Sequence, residues 1–245
     1  MTSFTLELAR VPIAVQALHE STKKYCADYL ADKEPVDHVH VTQDDIEFER
    51  VRSAQQDEHN GVPIRRFSDA YLETLALYRK IADAMIEHDA IVFHGCVLAV
   101  DGRAYLFTAP SGTGKTTHAR FWLNVVPGAY VLNGDKPLLR LMEDGVLACG
   151  TPWQGKERMG CNETLPLAGL CVLTRDTYDH IERVTLPSTL GRLVQQTYRP
   201  DRPEALVRGV ELAGAVGERV PLYRMGCTLN EQSASMSYRA MASVV

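Results

Sequence analysis

The stretch "TAPSGTGKTTHA", Thr108 to Ala119, holds the residue types that grip a polyphosphate. Gly112 and Gly114 let a backbone turn its N–H groups inward and approach phosphate oxygens with no Cβ in the way. Lys115 supplies a full charge for the β- and γ-phosphates, and Thr116 a hydroxyl for a magnesium ion bridging them. The expected nucleotide-contacting set is therefore Pro110, Ser111, Gly112, Thr113, Gly114, Lys115, Thr116 and Thr117. The common pattern G-x-x-x-x-G-K-[ST] carries a glycine where this chain has Ala109. A small residue serves at the loop's entry if its φ stays negative, whereas the inner glycines meet the tighter demand. Such a loop reads phosphates and not the base, so ATP and GTP both fit it.

Magnesium and the attacking group also need a carboxylate. Asp135 sits just past the apolar run Tyr130 to Leu132, where two readings stand: a metal-side acid, or one residue of an Asn133-Gly134 hairpin turn. Further along, "GTPWQGKERMGCN" is rich in turn residues and carries Trp153, Lys156 and Arg158. Lys156 is the candidate catalytic cation there, placed to meet an acceptor or developing charge, and Arg158 reads as a solvated surface residue. His38 and His40 alternate beside Asp37, with no further metal ligand at a recognisable spacing.

The elements that must position these groups follow from period and punctuation. "IVFHGCVLAVDGRAYLFTAP" reads as two strands joined at Asp101-Gly102, a dipeptide suited to tight hairpin turns. The second strand runs straight into the glycine-rich loop, and "TTHARFWLNVV" then reads as a short helix. A helix capped by Ser68 precedes them, with Tyr71, Leu75, Tyr78, Ala82, Met85 and Ile86 at helical spacing, and is expected to pack on the core as a bridge. Downstream, "LPLAGLCVLTR" reads as a buried strand, Leu186 to Tyr198 and "RPEALVRGVELAGAVGERV" as helices, "PLYRMGC" as a strand and "NEQSASMSYRAMASVV" as a closing helix. Residues 1–66 offer a first strand, "SFTLELARV", and a polar middle that makes a poor core. They are expected to form a smaller N-terminal α+β accessory region, and 67–245 the phosphate-loop domain.

The whole-chain numbers set the bounds. The 245 residues suffice for one large domain, or a core domain with an appendage. A net charge of -5 gives no basic field for nucleic acid, so no such partner is expected. The six cysteines contain no C-x-x-C pair and read as free thiols. No leader pattern opens the chain and no window approaches a membrane-spanning length, so the expected place is the cytoplasm.

The arrangement "FHGCVLAVDGRAYLFTAPSGTGKTT" followed by "LNGDK" resembles the HPr kinase/phosphorylase catalytic domain, which shares a core with phosphoenolpyruvate carboxykinase. The match covers about Ile91 to Leu139, with weaker similarity through "GTPWQGKERMGCNETLPLAGLCVLTR". The resemblance implies an α/β fold, an HPr kinase/phosphoenolpyruvate carboxykinase-like P-loop core with a mixed sheet. It implies transfer of the γ-phosphate of ATP to a serine or other hydroxyl of a peptide, protein or small molecule. Lys115 would lie on the phosphates, Thr116 and Asp135 on magnesium, and His94 near the transferred group, and the chain would assemble as a homo-oligomer. Apart from a site role, His94 also reads as a hydrogen-bonded core histidine at a strand start.

The departures from the family pattern are specific. The family's paired Asp-Asp becomes Gly134-Asp135, so the residue taken in that family as the base is missing, while the following basic residue is kept as Lys136. No counterpart of the R-G-x-G turn appears near Cys149 to Gly155. Two other classes stay open. One is a carboxykinase-like enzyme, against which the chain's length speaks. The other is a nucleotide-binding regulatory or peptide-recognition protein without turnover, which Gly134 favours.

Overall fold

In the N-terminal segment, apolar and polar residues alternate with the period of a half-buried strand. Leu6, Leu8, Val11, Ile13 and Val15 all fall on one buried face. The computed structural model, which describes residues 1–243, pairs Thr2–Leu8 (β1) antiparallel with Val11–Ala17 (β2), and β2 parallel with Asp37–His40 (β3). The turn between β1 and β2 uses Ala9 and Arg10, both at positive φ (50° and 64°). Glu20–Tyr25 (α1), Gln43–His59 (α2) and Asp69–Ile86 (α3) complete this part.

The polar middle, residues 31–61, forms β3 and the long helix α2, which buries Ile46, Glu49 and Asp57. Thr42 and Asp45 form a reciprocal capping box at its start. Beside buried Ile46, its inner face is tied to α3 by ion pairs. Arg79 bonds Asp45 (3.0 Å) and Glu49 (2.9 Å), and Lys80 bonds Asp45 (2.9 Å). Buried Glu73 of α3 accepts from the backbone N–H groups of Leu18 (2.5 Å) and His19 (3.0 Å) and from the Thr22 hydroxyl. The first compact unit is Met1–Ala84, so most of α3 belongs to it.

The second unit, from Met85 onward, is mixed α/β. Its strands are Ala90–Val92 (β4), Cys96–Val100 (β5), Arg103–Thr108 (β6), Tyr130–Asn133 (β7), Leu138–Met142 (β8), Gly145–Cys149 (β9), Thr164–Arg175 (β10), His180–Val184 (β11) and Leu222–Cys227 (β12). Its helices are Lys115–Val125 (α4), Leu186–Gln196 (α5), Pro203–Arg219 (α6) and Glu231–Ala242 (α7). The nine strands form one sheet in the order β4-β8-β9-β10-β6-β5-β7, with β12 against β10 and β11 against β12. Long β10 joins its two halves. It is antiparallel to β9 from Thr164 to Pro166, then parallel to β6 from Leu167, with a register shift before Gly169, and to β12 from Leu170.

Alternation along the central strands feeds two apolar clusters. Val97, Leu106, Leu170 and Val172 pack with Leu193 of α5 and Leu212 of α6. Leu98, Phe107, Cys171 and Leu173 pack with Trp122 of α4 and Met241 of α7. The apolar run expected as one strand from Ile91 is cut at His94-Gly95 into β4 and β5, which pair with different partners, β8 and β5's neighbours β6 and β7. Asn133-Gly134 does not turn a hairpin, because β7 pairs with β5 and β8 with β4 and β9. The strand β11 carried no sequence signal strong enough to be read. All six cysteines are free, and among the described residues no helix is long and apolar enough to cross a membrane.

Candidate functional site

Strand register brings the chemistry-bearing residues to one end of the sheet. β6 finishes at Thr108, and Cys96↔Phe107 puts the start of antiparallel β5, hence His94-Gly95, beside that finish. Val97↔Asn133 brings the end of β7, hence Asp135, to the same place. The parallel strands β10 and β12 end there too, through Val172↔Thr108 and Arg175↔Cys227. The carboxyl ends of parallel strands are where open α/β sheets bind ligands.

The glycine loop lies between β6 and α4. Gly112 (φ 78°) and Gly114 (φ 119°) occupy the left-handed half of backbone space. Ala109 is buried and has no positive φ, so an alanine fits the entry. Gly114 is the N-cap of α4, and the first helical bond runs from His118 N–H to Gly114 O (2.9 Å). The amides of Lys115, Thr116 and Thr117 are therefore first-turn groups, which a helix leaves without intrahelical partners. Lys115 folds back to donate from Nζ to Ala109 O (2.8 Å). Burial lowers its pKa, with Asp135 pulling the other way and Lys136 adding to the fall. Pro110, Ser111, Thr116 and Thr117 are exposed, and Thr113 is half-buried.

Asp135 is held by a buried amide. Asn133 Oδ1 accepts from the backbone N–H groups of Asp135 (2.9 Å) and Lys136 (2.8 Å). Its Nδ2 donates to Thr151 O (3.2 Å) and Oγ1 (3.0 Å), and the Thr151 hydroxyl donates to Lys136 O (2.7 Å). The Asp135 carboxylate then stands between two bases, with Oδ1 3.4 Å from His94 Nε2 and Oδ2 3.1 Å from Lys136 Nζ.

His94 is held through both its backbone and its half-buried ring. Its backbone N–H donates to Gln196 O (2.7 Å), its carbonyl accepts from the Thr108 hydroxyl (2.8 Å), and Gly95 N–H donates to Asp135 O (3.0 Å). Nδ1 lies 2.8 Å from Gln196 Oε1. Nδ1 thus meets Gln196 and Nε2 meets Asp135. Burial, then the charges of Lys136 and Lys115, lower the His94 pKa to about 4 against the opposing pull of Asp135 and Gln196. The imidazole is neutral at pH 7.

The 154–160 loop closes over this corner. Gly134 N–H donates to Met159 O (2.9 Å), and a Cβ on Gly134 would stand 3.0 Å from Gln154 O and 3.1 Å from Met159 O. Gly155, at φ 78°, comes so close that its Cβ would be 3.0 Å from that of Asp135. The loop thus brings Gly155 against Asp135, while Lys156 is an exposed turn residue. Lys115, His94 and Asp135 come together, and Lys156 is not among the groups bonded to them.

Sequence reasoning missed Gln196, Thr151, Arg175 and Leu229, and read Asn133 as a turn residue only. Gln196 ends a helix far along the chain and carries no motif. His38 and His40 stand on the first unit's sheet, exposed on the face opposite its core. Among the described residues no group of three or more His, Cys, Asp or Glu is arranged to hold a metal ion.

No family model matches the chain, and no curated protein matches it. Among solved structures, the chain is similar to the Hpr(Ser) kinase/phosphatase from Coxiella burnetii. That alignment covers 62% of this chain and 98% of the other at 8% identity, with a TM-score of 0.36.

Proposed function

We propose that this chain is an ATP-dependent phosphotransferase that moves the γ-phosphate to a serine or other hydroxyl of a peptide, protein or small molecule. The observation that carries this reading is the convergence of Lys115, His94, Asp135 and Lys136 around a glycine loop that opens a helix. The loop amides and Lys115 take the β- and γ-phosphates, as in a P-loop, and Lys136 adds a second cation beside Asp135. The Thr116 hydroxyl and Asp135 carboxylate are hard oxygen donors, the chemistry magnesium prefers, and would hold an ion that neutralises phosphate charge when bound. The acceptor hydroxyl attacks the γ-phosphorus, an O–P bond forms, and the bond to the β–γ bridging oxygen breaks to release ADP. Loose transition states need little base help, so the acceptor's proton leaves late, to the paired His94 Nε2 and Asp135.

The close packing over Gly134 favours a second reading, a nucleotide-binding protein without turnover. The position at which the family resemblance implies a base has no room for a side chain unless the 154–160 loop shifts.

The test is phosphate transfer from radiolabelled ATP, with magnesium, to candidate acceptors including serine, serine peptides and small alcohols. Wild type is expected to transfer, and Lys115→Ala to lose at least about 100-fold in rate, the scale of a lost charge contact in the transition state. Tight ATP binding with no Lys115-dependent transfer to any acceptor overturns the kinase reading in favour of the second. Oxaloacetate-dependent release of carbon dioxide would overturn both in favour of a carboxykinase-like enzyme.

A further inference from the structure

Two residues outside the glycine loop's own motif hold it from its flank. Both come from the ends of the parallel strands, Arg175 from β10 and Leu229 from the turn after β12. Arg175 donates from Nε to Thr113 O (3.0 Å) and from Nη2 to Gly112 O (3.2 Å). Its side chain is otherwise exposed, so these bonds are not a by-product of core packing.

The two carbonyls belong to successive peptides, and in a trans peptide the C=O and the next N–H point to opposite sides. Fixing Thr113 O on the guanidinium therefore directs Gly114 N–H to the far side of the loop. Thr113 N–H already donates to Pro110 O (3.3 Å), which closes the turn inside the loop. Leu229 presses on the same place, with Cδ1 2.5 Å from where a Gly114 Cβ would stand. Leu229 itself is held at φ 59°, a strained conformation for a leucine. Its turn is anchored in front by Thr228, whose N–H and hydroxyl donate to Asp179 Oδ1 (2.7 and 3.0 Å).

We infer that Arg175 is a positioning residue for the polyphosphate: it preforms the glycine loop, with Leu229 closing its flank, and sets nucleotide affinity without entering the reaction. The ligand in this inference rests on the phosphotransferase reading; the brace itself does not. A planar guanidinium spans two carbonyls in a fixed fork, which a lysine ammonium cannot reproduce.

The experiment compares wild type, Arg175→Ala and Arg175→Lys by three measurements: hydrogen exchange of the Thr113 amide, which closes the loop's turn, without nucleotide, magnesium-ATP affinity, and kcat with KM for ATP. In both variants exchange should speed about tenfold and ATP affinity and KM weaken about tenfold, with kcat and the thermal midpoint near wild type. Unchanged exchange or affinity in Arg175→Ala overturns the inference, and so does full rescue by lysine, which would reduce Arg175 to a charge. If wild type binds no nucleotide, the phosphotransferase reading falls in the first column of data and takes the ligand with it. The exchange comparison then still decides the brace, and equal exchange in all three proteins overturns that too.

Discussion

His94 and Gly134 are each governed by their immediate contacts, and each permits a sharp test. Lys136 and His94 flank the same carboxylate, and the Lys136 charge is the second-largest cause, after burial, that lowers the His94 pKa to about 4. Removing that charge in Lys136→Gln lifts one of the lowering influences, so the His94 pKa should rise toward the ordinary value of about 6.5. Asp135→Asn should move it the other way, because the carboxylate is the charge that stabilises an imidazolium there. Imidazole resonances followed by NMR against pH check both signs, and a rise in Asp135→Asn would overturn the assignment of the pair. At Gly134 the contacts are steric. With two carbonyl oxygens at 3.0 and 3.1 Å from its Cβ position, Gly134→Asp should cost about 1–3 kcal/mol and lower the thermal midpoint by several degrees. An unshifted midpoint would show that the 154–160 loop yields, and that a second carboxylate is accessible to this fold after all.

Between β7 and β8 the segment that bears Asp135 has no strand ladder of its own; Asn133 and Thr151 hold it instead. Thr151→Val keeps the shape but removes one hydrogen bond to Asn133 Nδ2 and one to Lys136 O. It should cost about 1–3 kcal/mol for the buried groups left short of a partner and slow any transfer reaction by loosening Asp135. Denaturant melts beside transfer rates test this, and a variant as stable as wild type would show that Asn133 alone suffices. The same contrast separates what the sequence disclosed from what it hid. The Asp101-Gly102 hairpin, the helix after Ser68 and the strand-loop-helix around Lys115 were legible, because each is written in a local period and a local turn residue. The β1–β2 turn was not, since Ala9 and Arg10 at positive φ carry none of the usual turn chemistry. α2 was missed because ion pairs to Arg79 and Lys80 stand where an apolar stripe would have announced it; only the Thr42–Asp45 cap was there to be read. Gln196 and Arg175 reach the site through tertiary packing, which no spacing in the sequence encodes.

On the scale of the whole molecule the two units titrate through different chemistry, and acid should separate them. In the second unit His118 is fully buried against Phe107, with Nε2 3.1 Å from the Ser237 hydroxyl oxygen. Ser237 already donates to Ala234 O (2.9 Å), so His118 Nε2 must be the donor in their bond. Nδ1 is then the site a second proton would take, and among the described residues it has no hydrogen-bond partner. Burial accordingly lowers the His118 pKa to about 4, as it does for His94. The unfolded chain takes up protons at about 6.5, so as pH falls from there to about 4 it binds more protons than the folded unit, and stability declines across that window. For His118 alone the loss approaches about 3 kcal/mol. The first unit is guarded by a carboxylate instead. Burial raises Asp45, but hydrogen bonds from Lys80, Thr42 and Arg79 outweigh it and hold the pKa at about 2, so this contribution persists until pH drops below about 3.9. Both tryptophans, Trp122 and Trp153, belong to the second unit, which makes their fluorescence a private reporter. On acidification the tryptophan signal should change between pH 6.5 and 4 together with the helical circular dichroism of α4 to α7, and the remaining helical signal, from α2 and α3, should be lost only below that range. His118→Leu should move the tryptophan transition to lower pH and leave the later one in place. A single coincident transition by both probes, unmoved in His118→Leu, would refute the assignment of acid sensitivity to the buried histidines.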